Sequence, residues 1–215
     1  TTNKNYTESR IRPNITNMKH APKNLPLGVE IVSLDLVVPN VYTNSGNRKN
    51  VIENLIKDNG LSKGAELGLK NGTTMAHVLS SCKSINMIGV DLWDCQPDND
   101  GPENYLDWNF NKIETIAREK ISPYSNRATL YKMTTNEASL LVEDNSLDFI
   151  FIDADHSEKG VLDDINNWAP KVKDNGYILG HDVAWKSIYN IITKKFKRFD
   201  VAPDQVWICK KGDLI

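Results

Sequence analysis

Two apolar runs, each cut off by titratable side chains, limit most strongly what this chain can fold into. Phe149-Ile150-Phe151-Ile152 runs into Asp153-Ala154-Asp155-His156, and Gly176-Tyr177-Ile178-Leu179-Gly180 runs into His181-Asp182. Short apolar runs bounded by polar residues read as parallel strands buried on both faces. One helix-length segment separates them, so they form a strand–helix–strand unit. Its two polar ends should lie side by side at the carboxyl edge of one sheet, where open α/β sheets bind ligands.

The same alternation runs from Asn50 onward. Asn50 can cap a first helix carrying Val51, Leu55 and Ile56 on its core face and stopping near Gly60. Strands are expected at Ala65–Gly68, Ile85–Val90 and Ala128–Met133, the fourth ending at Asp153 and the fifth at Gly180. Helices are expected from Thr73 to about Cys82, along Leu106, Phe110, Ile113 and Ala117, from Asn136, along Val161, Ile165 and Trp168, and along Ile188, Ile192 and Phe196. A hairpin around Ala202-Pro203-Asp204 closes the pattern. This order predicts a parallel sheet with helices on both faces and one antiparallel strand added at the end. Residues 1–49 read differently. They are rich in Asn, Thr and Pro, carry one strand-like stretch at Val29–Val38, and are too poor in apolar residues to form a core. They are expected to be an arm or cap on a domain spanning 50–215, and Val29–Val38 could pair across a homodimer.

A net charge of −2 gives no strong attraction to nucleic acid or to an anionic membrane. Cys82, Cys95 and Cys209 suit reduced thiols better than a disulfide framework, and no secretory pattern is visible, so a cytoplasmic protein is the expectation. The Lys194-Lys195-Phe196-Lys197-Arg198 run reads as the solvated end of a helix.

The turn after the first strand, Gly64-Ala65-Glu66-Leu67-Gly68-Leu69-Lys70-Asn71-Gly72-Thr73, carries glycines that allow tight turning and close approach to a ligand at Gly68 and Gly72. Lys70 stands where a dinucleotide motif needs its middle glycine, which disfavours pyrophosphate. Asp91 ends the second strand, placed to accept hydrogen bonds from ribose hydroxyls. Trp93 could pack on a purine or serve the core. Glu66 favours a cationic or amine-bearing ligand over a phosphate. Together these residues point to a nucleoside carrying positive charge and no phosphate.

The succession Glu66-Leu67-Gly68, Val90-Asp91-Leu92-Trp93, Ile152-Asp153-Ala154-Asp155-His156-Ser157 and Gly176-Tyr177-Ile178-Leu179-Gly180-His181-Asp182 resembles class I S-adenosylmethionine-dependent methyltransferases, within them the small-molecule O-methyltransferases of catechol, caffeoyl-CoA and macrolide-sugar type. The resemblance covers about 50–211. It implies a doubly wound, Rossmann-like α/β fold with a seven-stranded sheet of order 3-2-1-4-5-7-6, strand 7 antiparallel. It implies that Glu66 and Gly68 face the methionyl part of S-adenosylmethionine, Asp91 the ribose and Thr134 the adenine. Residues matching Asp153, His181 and Asp182 hold a metal in these relatives, the second usually as a carboxylate. His181 is softer, which leaves Mg2+ or another divalent cation, or no metal at all, open. His156 stands where some relatives carry a catalytic lysine, and with Asp155 it is the expected acid–base group.

The expected reaction is methyl transfer to a hydroxyl of a small molecule, sugar-like or phenolic. Two alternatives remain at this stage. One is a metal-dependent hydrolase using Asp153, Asp155, His156, His181 and Asp182. The other is a non-catalytic subunit that binds S-adenosylmethionine.

Overall fold

A computed structural model describes residues 46–94 and 108–215. The arm up to residue 45, with Val29–Val38, lies outside the described residues, as do Leu106 and Cys95. Seven strands form one sheet of order β3-β2-β1-β4-β5-β7-β6. They are β1 (Lys63–Leu67), β2 (Asn86–Asp91), β3 (Ala128–Lys132), β4 (Leu147–Ile152), β5 (Val172–Gly180), β6 (Asp200–Ala202) and β7 (Val206–Lys210). β7 runs antiparallel to both β5 and β6, and the other neighbouring pairs are parallel. The order and the direction of the seventh strand match the expectation. Among the described residues six α-helices pack around the sheet: α1 (Arg48–Asn59), α2 (Thr73–Ser81), α3 (Phe110–Ile121), α4 (Thr135–Ser139), α5 (Glu158–Trp168) and α6 (Lys186–Lys195).

The period-2 alternation of strand side chains sorts the core into two layers. Phe149 and Phe151 of β4 pack with Val51 and Leu55 of α1, Met75 and Val78 of α2, and Ala117 and Ile121 of α3. Ile150 and Ile152, on the opposite face, pack with Ala138 of α4, Val161, Ile165 and Trp168 of α5, and Ile188 and Ile192 of α6. The sheet is thus covered on both sides, which explains the apolar runs in its central strands. One boundary differs from the sequence reading. Asn47, not Asn50, caps α1, its side chain accepting from the Asn50 backbone N–H at 3.3 Å. Both residues are asparagine, and the cap falls on the one whose extended backbone precedes the first helical turn. That shift puts Arg48 at the first position of the helix.

Hydrogen bonds carry the ladder past the ends of the strands. Asp153 N–H donates to Leu67 O at 2.8 Å, His181 N–H to Ile152 O at 3.0 Å, and Gly68 N–H to Val90 O at 2.8 Å. The residues following β1, β2, β4 and β5 are thereby fixed at a single edge. Among the described residues no helix is long and apolar enough to cross a membrane.

Candidate active site

A cleft of about 620 Å³ opens at that edge. Glu66, Gly68, Asp91, Trp93, Thr134, Asp153, Asp155, His156 and Asp182 all line it, as do Arg48 and Asp204. Four of its lining residues, Lys70 (φ 50°), Trp93 (φ 45°), Asp182 (φ 55°) and Asp204 (φ 60°), are non-glycine residues in the left-handed backbone region. Such conformations cost free energy and gather at ligand sites.

At the β1–β2 end, Asp91 accepts from Lys70 N–H and Trp93 N–H, both at 2.7 Å. It therefore fastens the glycine loop as well as facing the cleft. Burial raises its carboxyl above the usual range despite these amides. Trp93 is 3% exposed, packs in the α1–α3 layer, and donates Nε1–H to Lys70 O at 2.8 Å. It is a core residue whose edge borders the cleft. Leu92, which sequence reasoning passed over, lines the cleft beside it. Glu66 is 3% exposed and its Oε2 has no hydrogen-bond partner. Burial first, and the nearby Asp153 second, push its carboxyl well above the usual range. An unpaired buried carboxylate is costly, and a ligand cation beside it would remove that cost.

Three other expected cofactor or catalytic residues have local structural duties. Gly72 does not line the cleft. At φ 69° it precedes α2, and a Cβ there would lie 3.1 Å from Ala117 Cα of α3, so its small size serves helix packing. Thr134 borders the cleft, but its hydroxyl is engaged in a reciprocal cap with Glu137 at the start of α4. Asp155 accepts from Ser157 N–H at 2.8 Å and Ser157 O–H at 3.0 Å, shaping the turn in which Ser157 caps α5. Asp155 thus shapes that turn while also lining the cleft.

At the β4–β5 end the expected residues do converge. His156 Nε2 lies 3.4 Å from Asp153 Oδ1 and 3.3 Å from Asp182 Oδ2, and its ring packs on Trp185 with centroids 4.6 Å apart. His181, 6% exposed, approaches Asp182 Oδ2 at 3.0 Å through Nδ1 and Asp204 Oδ1 at 3.6 Å through Nε2. Neither contact is aligned as a hydrogen bond, so both ring nitrogens are buried without a hydrogen-bond partner. Burial opposes charge on His181, but the Asp182 and Asp204 carboxylates outweigh it and push the imidazole up to about 9. Burial likewise opposes charge on His156, and Asp153 and Asp182 raise it. Burial tends to raise Asp182 and Asp204, yet His181 holds both below the usual carboxylate range.

Arg48 and Asp204 were not found by sequence reasoning. Arg48 hydrogen-bonds Asp153 Oδ2 through Nη1, and it reaches Asp204 Oδ2 through its backbone N–H at 3.0 Å and Nε at 3.3 Å. The available signal was a cation at the first position of a helix, the end where the macrodipole disfavours one.

Asp153, His181 and Asp182 each offer a donor atom, all within 4.8 Å of one another. Two carboxylates and the His181 imidazole form a donor set that fits a divalent cation once the imidazole gives up its proton.

Asp164, on α5, is 2% exposed and lines the cleft with Oδ2 unpartnered. Burial pushes its carboxyl up to about 7, against the Thr135 hydroxyl that lowers it. The folded state thus favours the neutral acid. The cost of ionising it is absent below the ordinary value near 4, grows between about 4 and 7, and is full above that. Asp164→Asn should therefore stabilise the protein more at pH 8 than at pH 5, by of order 2–3 kcal/mol. Melting curves at the two pH values check this, and an equal shift in Tm at both would contradict it.

A family model described as a methyltransferase domain matches residues 65–183, from β1 to just past Asp182. The chain belongs to this methyltransferase family. The match spans the strand ends that carry Glu66, Asp91, Asp153 and Asp182, and the fold is that of the class I methyltransferases. A structure designated a caffeoyl-CoA O-methyltransferase from Staphylococcus aureus is 17% identical with a TM-score of 0.57, covering 81% of this chain and 86% of its own. One designated an O-methyltransferase from Klebsiella pneumoniae is 13% identical with a TM-score of 0.56, over 80% of this chain and 83% of its own. An O-methyltransferase from Bacillus cereus, in complex with SAH, is 13% identical with a TM-score of 0.54, over 80% and 82%. At these identities the likeness is one of fold. Comparison with curated protein sequences gives no significant match.

Proposed function

We propose that this methyltransferase moves the methyl group of S-adenosylmethionine to a hydroxyl of a small, sugar-like or phenolic molecule. The observation that carries the reading is one cleft joining the buried Glu66, whose Oε2 lacks a hydrogen-bond partner, and the strand-end Asp91 to the Asp153–His156–Asp182 group. Glu66 pairs with the donor's ammonium group, and Asp91 accepts from its ribose hydroxyls. Gly68 lets the donor approach the backbone, and Leu92 with the edge of Trp93 flanks the base. His156 takes the acceptor's hydroxyl proton as its oxygen attacks the methyl carbon, and the methyl–sulfur bonding pair leaves with sulfur. The imidazolium so formed is stabilised by Asp153 and Asp182, 3.4 and 3.3 Å from Nε2. Holding oxygen and methyl in line supplies much of the acceleration. Asp153, His181 and Asp182 are the residues that would hold a divalent ion, which supplies Lewis acidity that lowers the hydroxyl's pKa and orients a diol.

A metal-dependent hydrolase would leave Glu66 and the cleft-facing side of Asp91 without a ligand, and Asp155 is already engaged with Ser157. Calorimetry with S-adenosylhomocysteine tests the donor half directly. The native chain should bind it, and Asp91→Ala should weaken binding by roughly 10–100-fold, because both a ribose acceptor and the anchor of the Lys70 loop are lost. No binding by the native chain would sink the proposal. Tight binding with no methyl transfer to any of a broad panel of alcohols and phenols would leave a non-catalytic binding subunit.

A further inference from the structure

We infer that Arg48 is the resident cation of the acceptor end and competes with a divalent ion for Asp153. Arg48 begins α1, where the helix dipole repels positive charge and no acidic residue stands in the first turn. It is held there by carboxylates from two distant parts of the chain. Nη1 bonds Asp153 Oδ2 just past β4, while Nε and the backbone N–H bond Asp204 Oδ2 in the turn between β6 and β7. The Asp153 side chain is 16% exposed and that of Arg48 31%, so the pair is partly shielded from water. A guanidinium bound through several donors is more than a surface ion pair of little consequence.

Asp153 is also one of the three residues whose donor atoms converge for a cation. The inference rests on reading Asp153, His181 and Asp182 as ion ligands. A divalent ion in that set and the Arg48 guanidinium would share one carboxylate at contact distance in a partly shielded site, where like charges repel strongly. Each therefore excludes the other. With Arg48 seated, Asp153 is neutralised without metal. With Arg48 withdrawn, Asp153, His181 and Asp182 are left as a set with excess negative charge that draws an ion in.

The test is Mn2+ binding to the whole chain, followed by the electron paramagnetic resonance of the free ion. Native protein is compared with Arg48→Gln and Arg48→Lys, and S-adenosylhomocysteine affinity is measured on the same samples. Arg48→Gln should bind Mn2+ at least about tenfold more tightly than native protein. Arg48→Lys keeps the point charge and should stay within about threefold of native, a rescue that a purely structural role would not produce. Arg48→Met, of similar length, serves if Arg48→Gln does not fold. Equal affinity in native protein and the neutral variants overturns the inference, and so does binding by none of them. In the latter case retained affinity for S-adenosylhomocysteine would leave the methyl-donor reading standing.

Discussion

Gly68→Ala should disrupt the carboxyl edge of the sheet and abolish binding of S-adenosylhomocysteine. Gly68 sits at φ 88°, a conformation that costs an L-residue roughly 1–2 kcal/mol. An added Cβ would overlap the Asp153 carbonyl oxygen and lie 2.8 Å from Ala154 Cα. These are backbone atoms that no rotamer change can move. The loop cannot retreat either, because Gly68 N–H is bonded to Val90 O and Asp153 N–H to Leu67 O, both at 2.8 Å. Overpacking in such a place costs about 1–3 kcal/mol more, so a loss of order 2–5 kcal/mol is expected. Thermal melting reads the stability and calorimetry the binding. A variant with native Tm and native affinity would refute the account of how β1 and β4 meet.

His156→Ala should lower kcat by roughly 10²–10⁴ while leaving S-adenosylhomocysteine affinity within about twofold. The contacts of His156 are with Asp153, Asp182 and Trp185, so its removal strips the proton acceptor and leaves Glu66 and Asp91 in place. Because its ring also packs on Trp185, His156→Gln is the control for lost packing. The decisive contrast is with Asp91→Ala, expected to act on affinity. Equal losses of affinity in both variants would refute the division of the cleft into donor and acceptor halves.

The strand ends were readable in the sequence because the buried stretches of the parallel strands are mostly apolar up to their carboxyl ends. Asp91, Asp153, His181 and Asp182 therefore stood out at the end of each run, and the sheet order followed from the resemblance they carried. What the sequence concealed was how polar side chains are spent locally. Thr134, Asp155 and Gly72 sit at the correct edge of the fold, yet their atoms serve a helix cap, a turn and a helix crossing. Motif position reports where a residue lies, while hydrogen-bond satisfaction decides what it is free to do. The partnership of Arg48 and Asp204 left no pattern because it joins residues 156 positions apart. Asp164 was hidden for a different reason: a single carboxylate among the apolar positions of α5 looks like a boundary residue until its burial is known.

The seam between β1 and β4 is closed by segments remote in the chain. Ser62 and Asp148, bonded at the foot of these strands, are 86 positions apart. Bringing such segments together requires ordering everything between them, and pairings of this kind slow folding. Gly68 and Asp153 meet only where β1 pairs with β4, so the cleft does not exist until that long-range pairing has formed. Anything bound across it binds the folded chain and not the unfolded one, and so holds the seam closed by mass action.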